Sequence, residues 1–415
     1  MARRAMQALL NRMTTGRITI VDQGGAIEYG PDLGRPWATV RVLDDRAWVA
    51  VATEGSIGFG RGYLERWWET DDLVGLLRLT ALNLEPLGRW QRRKATATRL
   101  APGGLLRALA PTRAARDRED IAAHYDIGTD FFSLFLDETL TYSSAVFASD
   151  DTPLAEASIH KYDRLLDKLE VDTGDRVLEI GTGWGGFAIH AASTRGARVT
   201  TTTISADQHR EATRRVAEAG LGPLVEVLDI DWRELPRHVA AGVGPGQGDG
   251  RFDKVVSVEM IEAVSWRDYK QFLATIEGCM APDGMAALQA ICVPGRRFEA
   301  AKRTEDFIKR FVFPGGGLPS LDVLAASVSG ATSMQLLDVE DLSAHYGETL
   351  RRWHQQFDAS QGEVAALLFD ERFCRLWRFY LAYCEAAFDE RLCTLNQIVL
   401  VGPAWRPSGM TLRPR

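Results

Sequence analysis

The sequence predicts an α/β protein with a doubly wound, mostly parallel sheet and a small α+β domain at its N-terminal end. The first observation is that short apolar strands alternate with helices from about residue 119 onward, which is typical of βαβ units. The second is a glycine-rich turn that joins one of these strands to a helix. The third is the length, because 415 residues exceed what one core usually holds.

The alternating region accounts for five strands. We predict strands over 176–180, 197–203, 225–230, 254–258 and 285–291, with helices over 186–193 and 206–219. Asp207 and Gln208 open the second of these helices, and Gly220 ends it, as capping preferences require. A strand that follows a helix in this way pairs in parallel with the strand before it.

The chain before residue 119 is divided into a small domain and a linker. Residues 1–87 are predicted to hold strands over 17–21 and 37–43 and one helix over 63–84. Residues 88–118 carry nine basic residues and one acid, although the whole chain has a net charge of −7. This basic linker is either a solvated connector or a patch that attracts anionic lipid headgroups. The third predicted domain is 119–415, with a mobile lid at about 295–330.

Composition excludes several classes of protein. A chain with 46% hydrophobic and 25% charged residues is an ordinary globular protein, and its acidic total argues against nucleic-acid binding. Five cysteines without a Cys-x-x-Cys pair argue against a disulfide framework and against a metal site. No apolar run reaches the roughly 18 residues of a membrane span. We therefore expect a cytoplasmic protein that meets a membrane, if at all, peripherally at its inner face.

The glycine-rich turn has two possible ligands, a dinucleotide and S-adenosylmethionine, and its sequence favours the latter. Gly181, Gly183 and Gly186 satisfy G-x-G-x-x-G, but a dinucleotide site needs an acid at the end of the next strand. That strand ends in three threonines, 201–203. Glu179 gives the pattern E-x-G-x-G-x-G, which is typical of methyltransferases that use S-adenosylmethionine (SAM).

The region from about 119 to 403 resembles the cyclopropane-fatty-acyl-phospholipid synthase family, which includes the mycolic acid cyclopropane synthases. The motifs that carry the resemblance are HYDIG at 124–128, TYSSA at 141–145, GTGWGG at 181–186, TISADQ at 203–208, DWR at 231–233, MIEAV at 260–264, FPGGGLPS at 313–320, Tyr346 and YLAYC at 380–384. They occur in the family's order.

The resemblance implies a SAM site. The implied contacts are Tyr125, Tyr142, Ser143, Glu179, Gly181, Gly183, Gly185, Thr203, Gln208 and Trp232. Thr203 and Gln208 would replace the missing acid as partners of the ribose hydroxyls. Trp232 would stack on the adenine.

The resemblance also implies the reaction, in which a methyl group is added to a cis double bond in a phospholipid acyl chain of the oleoyl type. Addition leaves a carbocation, and Glu262 and Tyr346 match the family positions around it, with Glu259 a rival for the former role. In well-known members a bicarbonate ion acts as base, held also by a histidine and a cysteine. Gln289 and Ser144 stand at those two positions here. Bicarbonate therefore remains an open alternative.

The product has two alternatives. Proton loss from the new methyl group closes a cyclopropane, whereas a prior hydride shift gives an exocyclic methylene. The changes at Ser144 and Gln289 favour the methylene product, which needs a reductase partner to become a saturated branch. Two other hypotheses stay open, a methyltransferase of a soluble small molecule and a non-catalytic SAM- or lipid-binding protein. A homodimer is kept as the commonest oligomer, and Cys384 is interpreted as a structural thiol.

Overall fold

The computed structural model describes residues 2–31, 34–84, 127–241 and 250–407. The predicted basic linker 88–118 and the predicted SAM contact Tyr125 lie outside the described residues. The chain divides into two compact units. Described residues up to 84 form the first unit together with Thr304–Pro314 and Tyr346–Leu392, and the second unit holds the remaining described residues.

This division differs from the predicted one at two segments. The sequence assigns 304–314 and 346–392 to the C-terminal domain, but both cluster with the N-terminal segment. These segments cluster with the N-terminal segment because their side chains pack against it. A Cβ on Gly60 would lie 2.2 Å from the ring of Phe307, so the ring takes the place of a side chain there. Arg78 donates to Glu390 across 2.7 Å.

The first unit contains a four-stranded sheet in the order β2-β1-β3-β4. Its strands are β1 Arg17–Asp22, β2 Gly25–Tyr29, β3 Trp37–Val42 and β4 Trp68–Thr70. Its helices are α1 Ala2–Leu10, α2 Arg46–Glu54, α3 Ser56–Leu64, α4 Leu73–Leu82, α12 Phe307–Phe311, α15 Gln361–Ala366 and α16 Glu371–Asp389. Both predicted strands of this region are confirmed, as is the α+β character.

The single helix predicted over 63–84 is wrong. Helix α3 ends at Leu64, β4 follows, and α4 starts only at Leu73. Trp68 explains the interruption, because its ring stacks on Phe59 at 4.5 Å and its Nε1 donates to the Phe59 carbonyl. Asp72 then begins a new helix by accepting from the Gly75 backbone N–H at 2.7 Å. The helical spacing of apolar residues continues through 63–84 in the sequence, but the tertiary contacts of Trp68 interrupt the helix.

The second unit contains a seven-stranded sheet in the order β10-β11-β9-β8-β5-β6-β7. Its strands are β5 Arg176–Ile180, β6 Arg198–Thr203, β7 Val225–Asp229, β8 Phe252–Val258, β9 Met280–Cys292, β10 Gln335–Asp341 and β11 Thr394–Val401. The five predicted strands are β5 to β9, and they are parallel. Strand β11 is antiparallel to both β9 and β10.

The second unit also contains the following helices. They are α5 Thr129–Phe132, α6 Leu154–Lys168, α7 Gly186–Arg195, α8 Ala206–Glu218, α9 Leu235–Ala240, α10 Tyr269–Cys279, α11 Gly295–Ala301 and α13 Leu321–Ala331, and α14 Ser343–Ala359 begins in this unit. Each face of the sheet has its own cluster of fully buried apolar side chains. Strand β5 pairs with β6 on one side and with β8 on the other, so the chain changes direction here. Ligands of doubly wound sheets bind at the carboxyl ends of such strands.

Three further features concern the described residues. No helix among them is long and apolar enough to cross a bilayer. No group of three or more metal-ligating side chains occurs within those ranges. All five cysteines are reduced, and four of them are buried while Cys384 is half-buried.

Candidate active site

The turn after β5 is left-handed at three glycines and open at the middle one. Gly181, Gly183 and Gly185 all have a left-handed backbone, with φ values of 105°, 51° and 85°. A Cβ at Gly183 would meet nothing within 4 Å. The backbone N–H groups of Gly181 and Thr182 donate to the Thr202 carbonyl, both at 3.0 Å, which ties the turn to β6. A ligand could therefore approach the backbone of this turn closely, as predicted.

Thr203 and Gln208 lie together at the carboxyl end of β6. The Thr203 hydroxyl donates to the Gln208 Oε1 at 2.9 Å. Ser205 caps α8 and accepts from the Gln208 backbone N–H at 3.3 Å. The two residues predicted to hold the ribose are thus in contact beside the glycine turn.

Trp232 follows β7 at the same edge of the sheet and is 8% exposed. Its ring meets Phe272 edge to face at 5.2 Å, and the Arg233 guanidinium lies 4.6 Å from the ring centroid. Asp231 accepts from the Arg233 backbone N–H at 2.9 Å. These contacts fix the ring, and its predicted stacking on adenine stays a prediction.

Tyr142 and Ser143 belong to a loop held by aromatic and charged neighbours. The Tyr142 ring lies 5.0 Å from that of Phe132. Ser143 accepts a hydrogen bond from the Lys161 ammonium at 2.6 Å. Lys161 is completely buried, and sequence reasoning missed it because a lysine on an amphipathic helix is usually a surface residue.

Glu179 is buried within the sheet. Its Oε2 accepts from the Thr201 hydroxyl at 2.6 Å, and Thr201 is in turn 2.7 Å from the Thr182 hydroxyl. Burial raises the pKa of Glu179 to about 8, against the opposing effects of Thr201 and Lys161. These bonds join β5, β6 and the glycine turn, and a direct contact of Glu179 with SAM stays a prediction.

Glu259 links two of the predicted catalytic residues. Its Oε1 accepts from the Ser144 backbone N–H at 2.9 Å and from the Gln289 Nε2 at 2.8 Å. Gln289 is oriented by Gln397, whose Nε2 donates to the Gln289 Oε1 at 3.0 Å. The Glu259 backbone has φ 50°, a left-handed conformation that costs a non-glycine residue about 1–2 kcal/mol. Strain of this kind concentrates at functional sites.

Glu262 lies one turn further along. Its Oε1 accepts from the Ile291 backbone N–H at 2.5 Å, whereas its Oε2 is buried without a hydrogen-bond partner among the described residues. Burial, and then the charge of Glu259, raise the pKa of Glu262 to about 8. The Glu262 carbonyl accepts from the Gly317 backbone N–H, so part of the predicted lid contacts this turn. Glu262 is thus mostly protonated at neutral pH.

The remaining predicted catalytic residue belongs to the first unit. The Tyr346 ring stacks on Phe388 at 4.4 Å and meets Trp353 edge to face at 6.3 Å. Ser144, Gln289 and Glu262 are in the second unit. A shared role of Tyr346 with Glu262 therefore stays a prediction.

Comparison with known proteins agrees with this geometry. The family model described as mycolic acid cyclopropane synthetase matches residues 112–398. The chain belongs to this family. It is 39% identical over 368 residues to the tuberculostearic acid methyltransferase UfaA1 of Mycobacterium tuberculosis, covering 85% of this chain and 80% of the relative. It is 32% identical over 367 residues to the cyclopropane-fatty-acyl-phospholipid synthase of Escherichia coli K12, covering 87% of each.

A solved structure gives the same result for the fold. The mycolic acid cyclopropane synthase CmaA1 in complex with S-adenosylhomocysteine (SAH) and CTAB matches with a TM-score of 0.61 at 29% identity, over 68% of this chain and 98% of that chain. The family and the doubly wound, mostly parallel α/β fold predicted from the sequence are confirmed, and this fold is the Rossmann-like fold of SAM-dependent methyltransferases. The protein is a SAM-dependent methyltransferase, and SAM supplies an electrophilic methyl group when bound. The open space at Gly183 suits such a co-substrate.

Proposed function

We propose that the enzyme adds a methyl group to the cis double bond of an oleoyl-type chain in a membrane phospholipid and forms a methylene-branched acyl chain. One observation carries the proposal. The Glu259 carboxylate is bonded to Ser144 and Gln289. These residues stand where the family resemblance places two of the groups that hold bicarbonate. The protein thus already holds a carboxylate of its own at this point.

The chemistry needs negative charge and a base. Methyl addition to one alkene carbon leaves a cation on its neighbour. Loss of a proton from the new methyl group then closes a cyclopropane. Alternatively, a hydride moves from the methyl-bearing carbon to the cationic carbon, and loss of a methyl proton from the resulting tertiary cation gives a methylene group. Both routes release one proton, so the products are isomers.

Glu259 suits the second route. A preorganised carboxylate stabilises a nearby cation without solvent reorganisation. Glu259 is fixed by two hydrogen bonds and by its backbone, so it can accept a proton only after the methyl group has come to lie against the carboxylate, whereas a dissociable ion could itself move to the methyl group. The cation therefore persists long enough for the hydride shift. Glu259 then accepts the methyl proton.

Lipid substrates define the setting of the reaction. The acyl chains would be reached at the inner face of the cytoplasmic membrane, where the enzyme would bind peripherally. A reductase would then convert the methylene group into a methyl branch. The name of the relative UfaA1 supports a product on the way to a methyl-branched acid. The Escherichia coli relative supports the second candidate, a cyclopropane synthase.

Proton NMR of the lipid product tests the proposal. Purified enzyme would be incubated with SAM and dioleoylphosphatidylglycerol vesicles, and the recovered lipid examined for vinylidene protons. Strongly upfield ring protons instead would show a cyclopropane synthase and overturn the methylene assignment. Unchanged lipid would favour a soluble substrate or a non-catalytic protein.

Variants of Glu259 test the proposed base. E259Q should lower turnover about 100-fold or more, the usual contribution of a positioned acid or base. E259G removes both the carboxylate and the backbone strain, and added formate or bicarbonate should restore part of its activity. The surface variant E218Q, which removes a partner of Arg214, is the matched control. Full activity of E259Q would contradict the role of this carboxylate.

A further inference from the structure

A buried lysine beside the site has no part in the reaction described so far. Lys161 on α6 is 0% exposed. Its ammonium donates to the Ser143 hydroxyl at 2.6 Å and lies 4.7 Å from the ring centroid of Tyr162. Burying an ammonium group costs several kcal/mol unless neighbouring groups offset it. Such a group at an active site needs a physical explanation.

The explanation lies in the acidic side chains that face Lys161 from the surrounding elements. These are Glu259 after β8, Glu179 on β5 and Asp137 in the loop after α5. Burial lowers the pKa of Lys161 to about 8, and the three carboxylates oppose this shift. The neighbouring Tyr162 phenol has its pKa raised by burial and stays neutral. Lys161 is therefore mostly charged at neutral pH and loses its charge above pH 8.

The hydrogen bonds connect Lys161 to the proposed base through two adjacent residues. Lys161 holds the side chain of Ser143, and Glu259 accepts from the backbone N–H of Ser144 at 2.9 Å. The Ser144 carbonyl accepts weakly from Gln289 at 3.4 Å. The next residue on α6, Tyr162, bonds to the Thr141 hydroxyl at the other end of the same loop. Helix α6 therefore holds the loop that Glu259 contacts.

We propose that Lys161 is a positioning residue, whose ammonium fixes the Ser143–Ser144 segment and thereby holds in place the Glu259 side chain that is bonded to Ser144. This inference rests on the proposed role of Glu259 and extends it. Glu259, the proposed proton acceptor, depends on the ammonium of Lys161, to which it is connected through Ser144 and Ser143. Lys161 itself touches neither the acyl chain nor the reacting atoms. The rate should therefore depend on the charge of Lys161 rather than on its ability to transfer a proton.

The pH dependence of turnover tests this inference. The kcat of the wild type for release of SAH, with dioleoylphosphatidylglycerol vesicles, should fall as pH rises through about 8, where Lys161 loses its charge. K161M should lower kcat about 10- to 100-fold, as small misplacements of catalytic groups do, and should make the alkaline limb shallower than that of the wild type. Glu179 and Glu262 also have pKa values of about 8 and remain in both variants, so they set whatever pH dependence is left. K161R stays charged and should retain part of the activity with the same shallower limb up to about pH 10.

Two controls separate positioning from stability. K168M removes a lysine of the same helix that pairs with Asp338 and Glu340, and its pH profile should match that of the wild type. Calorimetric binding of SAH and thermal unfolding measure the folded fraction of each variant. If K161M lowers only the melting temperature and keeps kcat and the alkaline limb per folded molecule, Lys161 is merely structural and the inference is wrong.

A second variant covers the case in which Lys161 cannot be replaced without unfolding. S143A removes the acceptor of the ammonium, so it should move the alkaline limb to lower pH and reduce kcat. An alkaline limb that does not move in S143A would overturn the inference.

The release of SAH counts methyl transfer whichever lipid isomer forms. A cyclopropane in the NMR experiment would thus refute the methylene product while the pH profiles still decide the role of Lys161.

Discussion

Replacement of Glu262 by glutamine should stabilise the second unit increasingly as the pH rises. The buried Glu262 carboxyl has its pKa raised from 4.5 to about 8. Below pH 4.5 this group is neutral in the folded and unfolded states, so it has no pH-dependent effect. Between 4.5 and 8 the unfolded chain ionises it and the folded chain does not. The wild type therefore loses stability over this range, and E262Q does not.

The magnitude follows from the size of the shift. One pKa unit corresponds to about 1.4 kcal/mol, so the advantage of E262Q should grow by that amount for each pH unit between 4.5 and 8. From pH 5.5 to 7.5 the gain is about 3 kcal/mol. Glutamine keeps an oxygen for the Ile291 N–H, and both the amide and the neutral acid carry a donor without a partner. These fixed differences cancel when two pH values are compared.

Urea denaturation at pH 5.5, 6.5 and 7.5, followed by tryptophan fluorescence, measures this gain as a change in midpoint at constant slope. The exposed residue Glu363 provides the matched control, and E363Q should differ from the wild type by less than about 0.5 kcal/mol at each pH. A difference between E262Q and the wild type that does not change with pH would refute the reasoning, because it would show that Glu262 ionises in the folded protein.

Two further predictions concern a turn and a buried amide. G185A places a Cβ on a left-handed residue, 3.2 Å from a neighbouring methyl group, and should weaken the binding of SAH measured by calorimetry. G174A is the control, because Gly174 has a similar φ of 89° but lies in open space. It should lose only stability, about 1–2 kcal/mol. Equal affinities in the two variants would contradict a role of the turn in binding. N83A should lower the free energy of unfolding in urea by about 2–3 kcal/mol. The reason is that the buried Asn83 amide is hydrogen-bonded to the backbone of Thr14, Thr15 and Leu79. Asn11→Ala is the control, and it should change little because Asn11 is exposed.

The sequence predicts those parts of the fold that are encoded locally. Strands β5 to β9 are short apolar or β-branched runs separated by capped helices, so their order implies their direction. The antiparallel strand β11 has no such local signal, because its direction depends on which neighbour it reaches across the sheet. The split between α3 and α4 likewise depends on the contacts of Trp68.

The site shows the same distinction. The glycine turn and the pair Thr203 and Gln208 follow directly from the order of strands and turns, because carboxyl ends of parallel strands meet at one edge. Glu259 could be named from the sequence only as a rival of Glu262. Its left-handed backbone and its bonds to Ser144 depend on tertiary structure. The burial of Lys161 is hidden for the same reason.

The burial of the cysteines has a practical consequence for handling the protein. Burial raises the pKa of Cys279, Cys292 and Cys393 to about 12, so these thiols are protonated at neutral pH. A protonated thiol is a poor nucleophile and resists alkylation and oxidation. Cys374 is also buried, and burial raises the pKa of its thiol. Cys384 on α16 is the half-buried one. A maleimide fluorophore or spin label should therefore attach mainly at Cys384, which gives the native chain a preferred reporter position without removal of its other cysteines.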